Sequence, residues 1–292
     1  MSVCLACPRK CNIERSPSKG GFCRCGSDIK IARAALHHWE EPCISGTRGS
    51  GTIFFSGCNL RCTYCQNSKI SKAEIGKAVS VERLREIFFE LFEQGAHNIN
   101  LVTPSHYIRQ IAQALKQRPP IPIVYNSSGY DSVEELKQLE GLVDIYLPDL
   151  KYSDSSLSQE LSNAGDYPQT ALLAIKEMYR QTGGYRFDEN SMLTRGVMIR
   201  HLQLPSYLEN TLGVIDMIDS AFPKKDVLIS FMSQYTPCSE LQLPPRLRQR
   251  LSAEEYQRAV DYLWLCGFEN GYVQELSSAE ELYIPPFDLS GT

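Results

Sequence analysis

Thr52–Asn67 reads TIFFSGCNLRCTYCQN, and this stretch decides the fold. Thr52–Ser56 is a short apolar run between Gly51 and Gly57. A run of that length bounded by turn residues suits a buried strand. Cys58, Cys62 and Cys65 follow directly with C-x3-C-x2-C spacing. Three thiolates on one loop can hold three corners of a cubane. A [4Fe–4S] cluster then keeps one iron open to an outside ligand. An open metal position marks a catalytic site rather than a closed structural one. A zinc knuckle that borrows a fourth ligand, or three unrelated buried thiols, are the plain readings of the same residues. The position at the end of a strand favours the cluster.

Outward from this stretch, strands and helices alternate. VERLREIFFELFEQG places Leu84, Ile87, Phe88, Leu91 and Phe92 on one helical face, and Gly95 can end the helix. Strands are expected at 98–102, 121–125, 142–147, 195–202 and 227–232, with a short final one near 271–276. Helices are expected over 105–117, from Ser132 to about Glu140, through 153–184, over 207–220, and from Ser252 onward. Ser132 with Glu135, and Ser252 with Glu255, have capping-box spacing. In 153–184, Leu172, Ile175 and Tyr179 share a face. Repeated strand–helix alternation means parallel strands with helical crossovers. Six such units give a partial (β/α)6 barrel or an open doubly wound sheet, and both gather their chemistry at the C-terminal strand ends. Polar residues follow every strand there: Thr103–His106, Asn126–Gly129, Asp149 and Lys151, Arg200 and His201, Gln234 and Tyr235.

The 292 residues bear a net charge of -4 and are 42% apolar and 22% charged. That length and composition suit a large core and argue against global disorder. The acidic balance argues against a general nucleic-acid partner, which needs a basic face to replace counterions. No run reaches the ~18 apolar residues of a membrane span, and MSVCLACPRKC lacks the apolar core of a secretory signal. The expectation is a cytoplasmic protein, a monomer without a membrane contact. Eleven cysteines are unusual, and their clustering in a long chain points to metal rather than disulfides. Cys4, Cys7, Cys11 and Cys23 have C-x2-C-x3-C-x11-C spacing, with Cys25 spare. Four thiolates can close a tetrahedral zinc site or hold a second cluster, and thiol softness does not separate the two. Cys43, Cys238 and Cys266 read as small buried hydrophobes. GTRGSG at 46–51 lacks the lysine and spacing of a phosphate loop. His37-His38 ahead of Glu40-Glu41 reads as exposed polar residues on a short element rather than a metal pair. The expected organisation is a cysteine-rich metal-binding extension over 1–48 and a barrel over 49–292.

The C-x3-C-x-aromatic-C motif after the first strand of such a barrel resembles the radical S-adenosylmethionine (SAM) superfamily. The pattern from about residue 40 through the sixth strand, with PIVYNSSGY (122–130) and VDIYLPDLKY (143–152), resembles the pyruvate formate-lyase activating enzyme-related group. The branch that carries an added N-terminal cysteine segment is the more similar one. The resemblance implies a radical SAM core in which Cys58, Cys62 and Cys65 ligate a [4Fe–4S] cluster and SAM chelates its unique iron. It implies that Tyr64 contacts the adenine and that Lys151 of Asp149-Leu150-Lys151 meets the SAM carboxylate. Thr103-Pro104-Ser105-His106 stands where relatives carry a Gly-Gly-Glu turn, so Thr103 and His106 become the expected amine contacts. Asn126 and Ser127 replace an Asp-Thr pair, which removes a charge from a monovalent-cation site, and Asn126 and Ser128 are expected beside the cofactor. Arg200, His201 and Tyr235 are further candidates.

The implied reaction is reductive SAM cleavage to a 5′-deoxyadenosyl radical, with flavodoxin or ferredoxin as electron donor. Hydrogen would come from a glycine of a glycyl-radical enzyme. The other outcomes are modification of a different peptide, a nucleic acid or a small molecule, or a non-enzymatic zinc-binding adaptor. The cofactors carry the difficult chemistry and the protein orients them.

Overall fold

The computed structural model describes residues 3–238, 240–276 and 285–292. Its strands are β1 (Ile29–His37), β2 (Ser50–Phe55), β3 (Lys77–Val79), β4 (Ile99–Val102), β5 (Ile123–Ser127), β6 (Ile145–Pro148), β7 (Arg186–Phe187), β8 (Leu193–Leu202), β9 (Val227–Met232) and β10 (Gly271–Val273). The order along the sheet is β10-β9-β8-β6-β5-β4-β2-β1-β3, with β7 on β8. The run β2-β4-β5-β6-β8-β9 is parallel throughout, the six-unit pattern of an open partial barrel, and β10 adds to it in parallel. β1 pairs antiparallel with β2, and β3 with β1.

The two strand faces have different jobs. Ile53, Phe55, Leu101, Tyr125, Tyr146, Val197, Ile199 and Phe231 join the main core with helix residues such as Leu84, Ile87, Ile111, Met178 and Val214. On the alternate positions, Val124, Ile145, Leu147, Met198 and Leu228 pack with Cys43 and Ile44 into a separate apolar cluster. A period of two sends these sets to opposite faces. Farther along that second face, toward the strand ends, the positions become polar: Asn126, Asp149 and Arg200 line the cavity described below. Burial on both faces explains why all six residues of β2 are buried, as a covered parallel strand requires.

The helix Val81–Glu93 buries Leu84, Ile87, Phe88 and Leu91, and Ser80 caps it by accepting from the Arg83 N–H. Ser252 likewise accepts from the Glu255 N–H. Ser132 makes no such cap. Glu135, its expected box partner, is held by two hydrogen bonds from Arg109 (2.9 and 2.6 Å). The 153–184 region is two helices, Ser155–Ser162 and Tyr167–Thr182, and the buried face of the second centres on Ala171, Ala174, Ile175 and Met178. Within the 1–48 stretch, β1 belongs to the large sheet. Its IKIARAALH sequence alternates weakly because the small Ala32 and Ala34 occupy buried positions and the register shifts near Ile31.

Candidate active site

The loop after β2 brings Cys62 and Cys65 to one lip of a cavity of about 260 Å³ at the C-terminal strand ends, with Cys58 on the same loop. Gly57 opens the loop at φ 84°, where a Cβ would lie 2.3 Å from the Cys25 Sγ. Only glycine combines that backbone with that approach. Burial raises the Cys58 thiol, and the neighbouring Cys62 adds to the effect. Burial likewise pushes Cys62 up to about 11, against the pull of Lys151. Crowded thiols that resist ionisation are stabilised as thiolates by a bound metal. The Leu60 N–H points at the Cys58 Sγ (3.4 Å) and Ser162 donates to the Cys62 Sγ (2.9 Å). This donor set fits a three-thiolate cluster with one open iron.

Tyr64 forms the adjoining wall. Its hydroxyl meets that of Tyr152 at 2.8 Å, Tyr152 meets Ser162 at 2.6 Å, and Ser162 reaches Cys62. Because Ser162 spends its proton on sulfur, the chain runs in one direction, Tyr64 to Tyr152 to Ser162 to Cys62. The Tyr64 ring also stands edge-on to Tyr235, at 6.3 Å.

The floor is an ion network. Lys151 pairs with Asp149. Arg200 donates to Asp149 (3.0 Å), to Glu40 (3.2 Å) and to the side-chain Oδ1 of Asn126. Asn126 and Asn100 donate to the Glu40 Oε1, at 3.3 and 2.9 Å. Burial would raise Asp149, but Lys151 and Arg200 outweigh it and hold the carboxyl below its usual range. Burial disfavours the Lys151 ammonium, yet Asp149 raises it above the ordinary lysine value. An ammonium has three N–H donors, so Lys151 keeps donors for a ligand carboxylate in the cavity it lines.

The floor itself is pinned from below. The buried His201 places Nδ1 2.7 Å from the Leu150 carbonyl and Nε2 3.0 Å from the Thr211 hydroxyl. The carbonyl can only accept, so Nδ1 carries the proton. Tyr167 sits between the carbonyls of Ser128 and Asp149 and accepts from the Lys151 N–H. His201 is thus a support for the Asp149–Lys151 segment and does not line the cavity.

The cavity collects Cys62, Tyr64, Cys65, Asn126, Asp149, Lys151, Arg200 and Tyr235 from the residues singled out in the sequence. Cys58 stands beside it on the same loop. Thr103, His106 and Ser128 are not among its lining residues. Thr103 closes β4 at φ 60° and donates its N–H to the Asn126 carbonyl. Ser127 is engaged with Asp131 (2.6 Å), and the Ser128 Oγ is buried without a partner. His106 is buried with its Nε2 2.9 Å from the Ser56 carbonyl, and it faces the N-terminal cysteines. His37 and Glu40, read from sequence as exposed, instead line the cavity, and the Glu40 side chain is 10% exposed. β1 runs antiparallel beside β2, with His37 opposite Ser50, so these residues reach the cavity through a long-range pairing that local sequence does not announce.

The N-terminal thiols pack against the cluster loop. Cys4, Cys7, Cys23 and Cys25 are buried, and Cys11 is half-buried beside the Phe22 N–H (3.3 Å). Burial, with the charges of Cys23, Cys11 and Cys4 adding to it, pushes Cys7 up to about 12. The Arg9 Nε donates to the Asn59 carbonyl (2.8 Å), and Arg9 and Arg61 each lie 4.0 Å from the Phe22 ring. Cys25 donates to the Ser56 carbonyl (3.0 Å), one residue before Gly57.

Residues 52–186 match the model of the Radical SAM superfamily. Among individual proteins, the chain is 29% identical over 273 residues to the uncharacterized protein MJ0674 of Methanocaldococcus jannaschii, across 88% of this chain and 73% of that one. Streptococcus suis SuiB, in a crystal structure bound to its precursor peptide SuiA, superposes with a TM-score of 0.52 at 14% identity, covering 76% of this chain and 48% of SuiB. This chain thus spans about half the length of SuiB, and the likeness there is one of fold. Among the described residues no helix is long and apolar enough to cross a membrane.

Proposed function

We propose that the protein cleaves SAM reductively at a [4Fe–4S] cluster held by Cys58, Cys62 and Cys65, and that the 5′-deoxyadenosyl radical takes a hydrogen from a glycine of a glycyl-radical enzyme. The observation that carries the SAM reading is the cavity itself: thiols on one lip, an aromatic wall at Tyr64, and a Lys151–Asp149–Arg200 floor. Lys151 would meet the carboxylate of SAM and Tyr64 its adenine. Asn126 and Arg200 are already bonded to each other and to Glu40, so they shape the floor as a unit.

The glycine target rests on the resemblance of residues 40–67, 122–130 and 143–152 to the activases. Trp39, 57% exposed at the cavity, supports a protein partner by offering an apolar contact at the mouth. Flavodoxin or ferredoxin would supply the electron. A second metal, zinc or a further cluster, among the N-terminal cysteines completes this reading.

The test is anaerobic reconstitution with iron and sulfide, then reduction with SAM and a glycyl-radical enzyme. Methionine, 5′-deoxyadenosine and the electron paramagnetic resonance doublet of a glycyl radical are expected. Cleavage without the doublet moves the substrate to another peptide, a nucleic acid or a small molecule. Stoichiometric zinc without cluster or cleavage leaves an adaptor.

A further inference from the structure

Among the described residues, the ligand atoms of Cys23, Cys25 and His106 all lie within 4.8 Å of one another, and all three side chains are buried. We propose that these three residues bind one zinc ion that clamps the N-terminal segment to the barrel directly behind the cluster loop. The proposal narrows the second-metal reading above to one metal and one ligand set, and it does not depend on the radical chemistry.

Three observations carry it. The first is spacing. Zinc–sulfur bonds of about 2.3 Å and zinc–nitrogen bonds of about 2.0 Å put tetrahedral ligand atoms roughly 3.5 Å apart, so a small inward movement closes the site. A cubane places its thiolates on separate irons, farther apart than ligands that share one ion. The second is the imidazole. Its Nε2 faces the Ser56 carbonyl at 2.9 Å, and a carbonyl can only accept, so Nε2 carries the proton. The Nδ1 lone pair is buried with no hydrogen-bond partner. A ring whose N–H is held by a backbone carbonyl while its other nitrogen is uncommitted is the arrangement that prepares histidine for a metal. The third is charge. Two thiolates and a neutral imidazole neutralise a divalent ion, and Arg15 donates to the Cys23 Sγ at 3.0 Å and to the His106 carbonyl at 3.1 Å.

On binding, Cys23 and Cys25 each release a proton to solvent, zinc–sulfur bonds form, and no electron moves. The Ser56 carbonyl loses the Cys25 S–H and keeps the His106 N–H. Cys25, spare in the sequence spacing, becomes a ligand. His106, expected at the SAM amine, becomes the barrel's contribution. The ion would join the 23–25 turn to the turn after β4, beside Ser56 just past the end of β2.

The test uses the full chain purified anaerobically. Metal analysis should return about one zinc per chain beside the iron, and X-ray absorption at the zinc edge should show an imidazole together with sulfur in the shell. The variants Cys25→Ser and His106→Asn should each lower zinc roughly fivefold or more with iron retained, and His106→Asn should remove the imidazole signal. If a variant fails to fold, the wild-type spectrum decides alone. A shell of four sulfurs, iron beyond one four-iron cluster with no zinc, or no metal besides that cluster overturns the proposal. Zinc with imidazole but no iron leaves it standing while refuting the radical reading.

Discussion

Ser162→Ala should make the cluster harder to reduce. Ser162 donates to the Cys62 sulfur at 2.9 Å and ends a hydroxyl chain that begins at Tyr64. The serine is fully buried, so no water replaces the lost donor cheaply. A hydrogen bond to a charged acceptor is worth about 1.5–3 kcal/mol, and it strengthens when reduction adds negative charge to the sulfur. If about 1 kcal/mol of that is specific to the reduced state, the one-electron relation of about 59 mV per tenfold gives a drop of roughly 40 mV. Hydrogen bonds to cluster sulfurs are a recognised determinant of potential. A dye-mediated redox titration followed by electron paramagnetic resonance measures the shift, with Ser162→Thr as the variant that keeps the hydroxyl. A fall of roughly 20–80 mV in the alanine variant, restored by threonine, is expected. An unchanged or raised potential would refute the hydrogen-bond argument and with it the assignment of Cys62 as a ligand.

The floor and its support give three more outcomes. Lys151→Met should weaken SAM binding by about 10- to 100-fold in calorimetry while the iron content holds, because it removes one charge-assisted contact. Arg200→Leu leaves the buried Glu40 without its cation and Asp149 with Lys151 alone, so urea unfolding should show a loss of about 3–5 kcal/mol. His201 is pushed down to about 4 by burial, with Lys151 adding to the effect. Its folded value lies below the ordinary histidine value of about 6.5, so its contribution is complete above that pH and is lost as pH falls toward 4. Stability measured from pH 7.5 to 5 should therefore decline, by on the order of 2 kcal/mol from this group, and His201→Gln should flatten that limb.

The parts of the molecule that were legible in sequence are those where local pattern and long-range structure agree. TIFFS reads as a buried strand because both its faces are covered, and the helix 81–93 because its apolar period survives into the core. The Cys58–Cys65 loop and the Asp149-Leu150-Lys151 turn were visible because strand ends collect chemistry whatever the substrate. β1 was not visible, since Ala32, Ala34 and Ala35 give a strand little contrast and its partner is chosen by the fold. Glu40 was missed for the same reason: a glutamate after two histidines looks solvated until β1 delivers it to Arg200. His106 carried a signal that pointed to the wrong neighbour. Its place after β4 suggested the cofactor, whereas the ring turns to Ser56 and to thiols more than eighty residues upstream. Which side of a strand end a side chain takes depends on what else packs there, and the N-terminal segment is what packs there.

The most direct measurement is 5′-deoxyadenosine formed per chain when the anaerobically reconstituted protein is reduced in the presence of SAM. The account predicts at least one equivalent from the wild type and none above background from Cys62→Ala, with Cys4→Ala retaining cleavage. No 5′-deoxyadenosine from a wild-type protein that carries a full complement of iron, or equal amounts from Cys62→Ala, would contradict it.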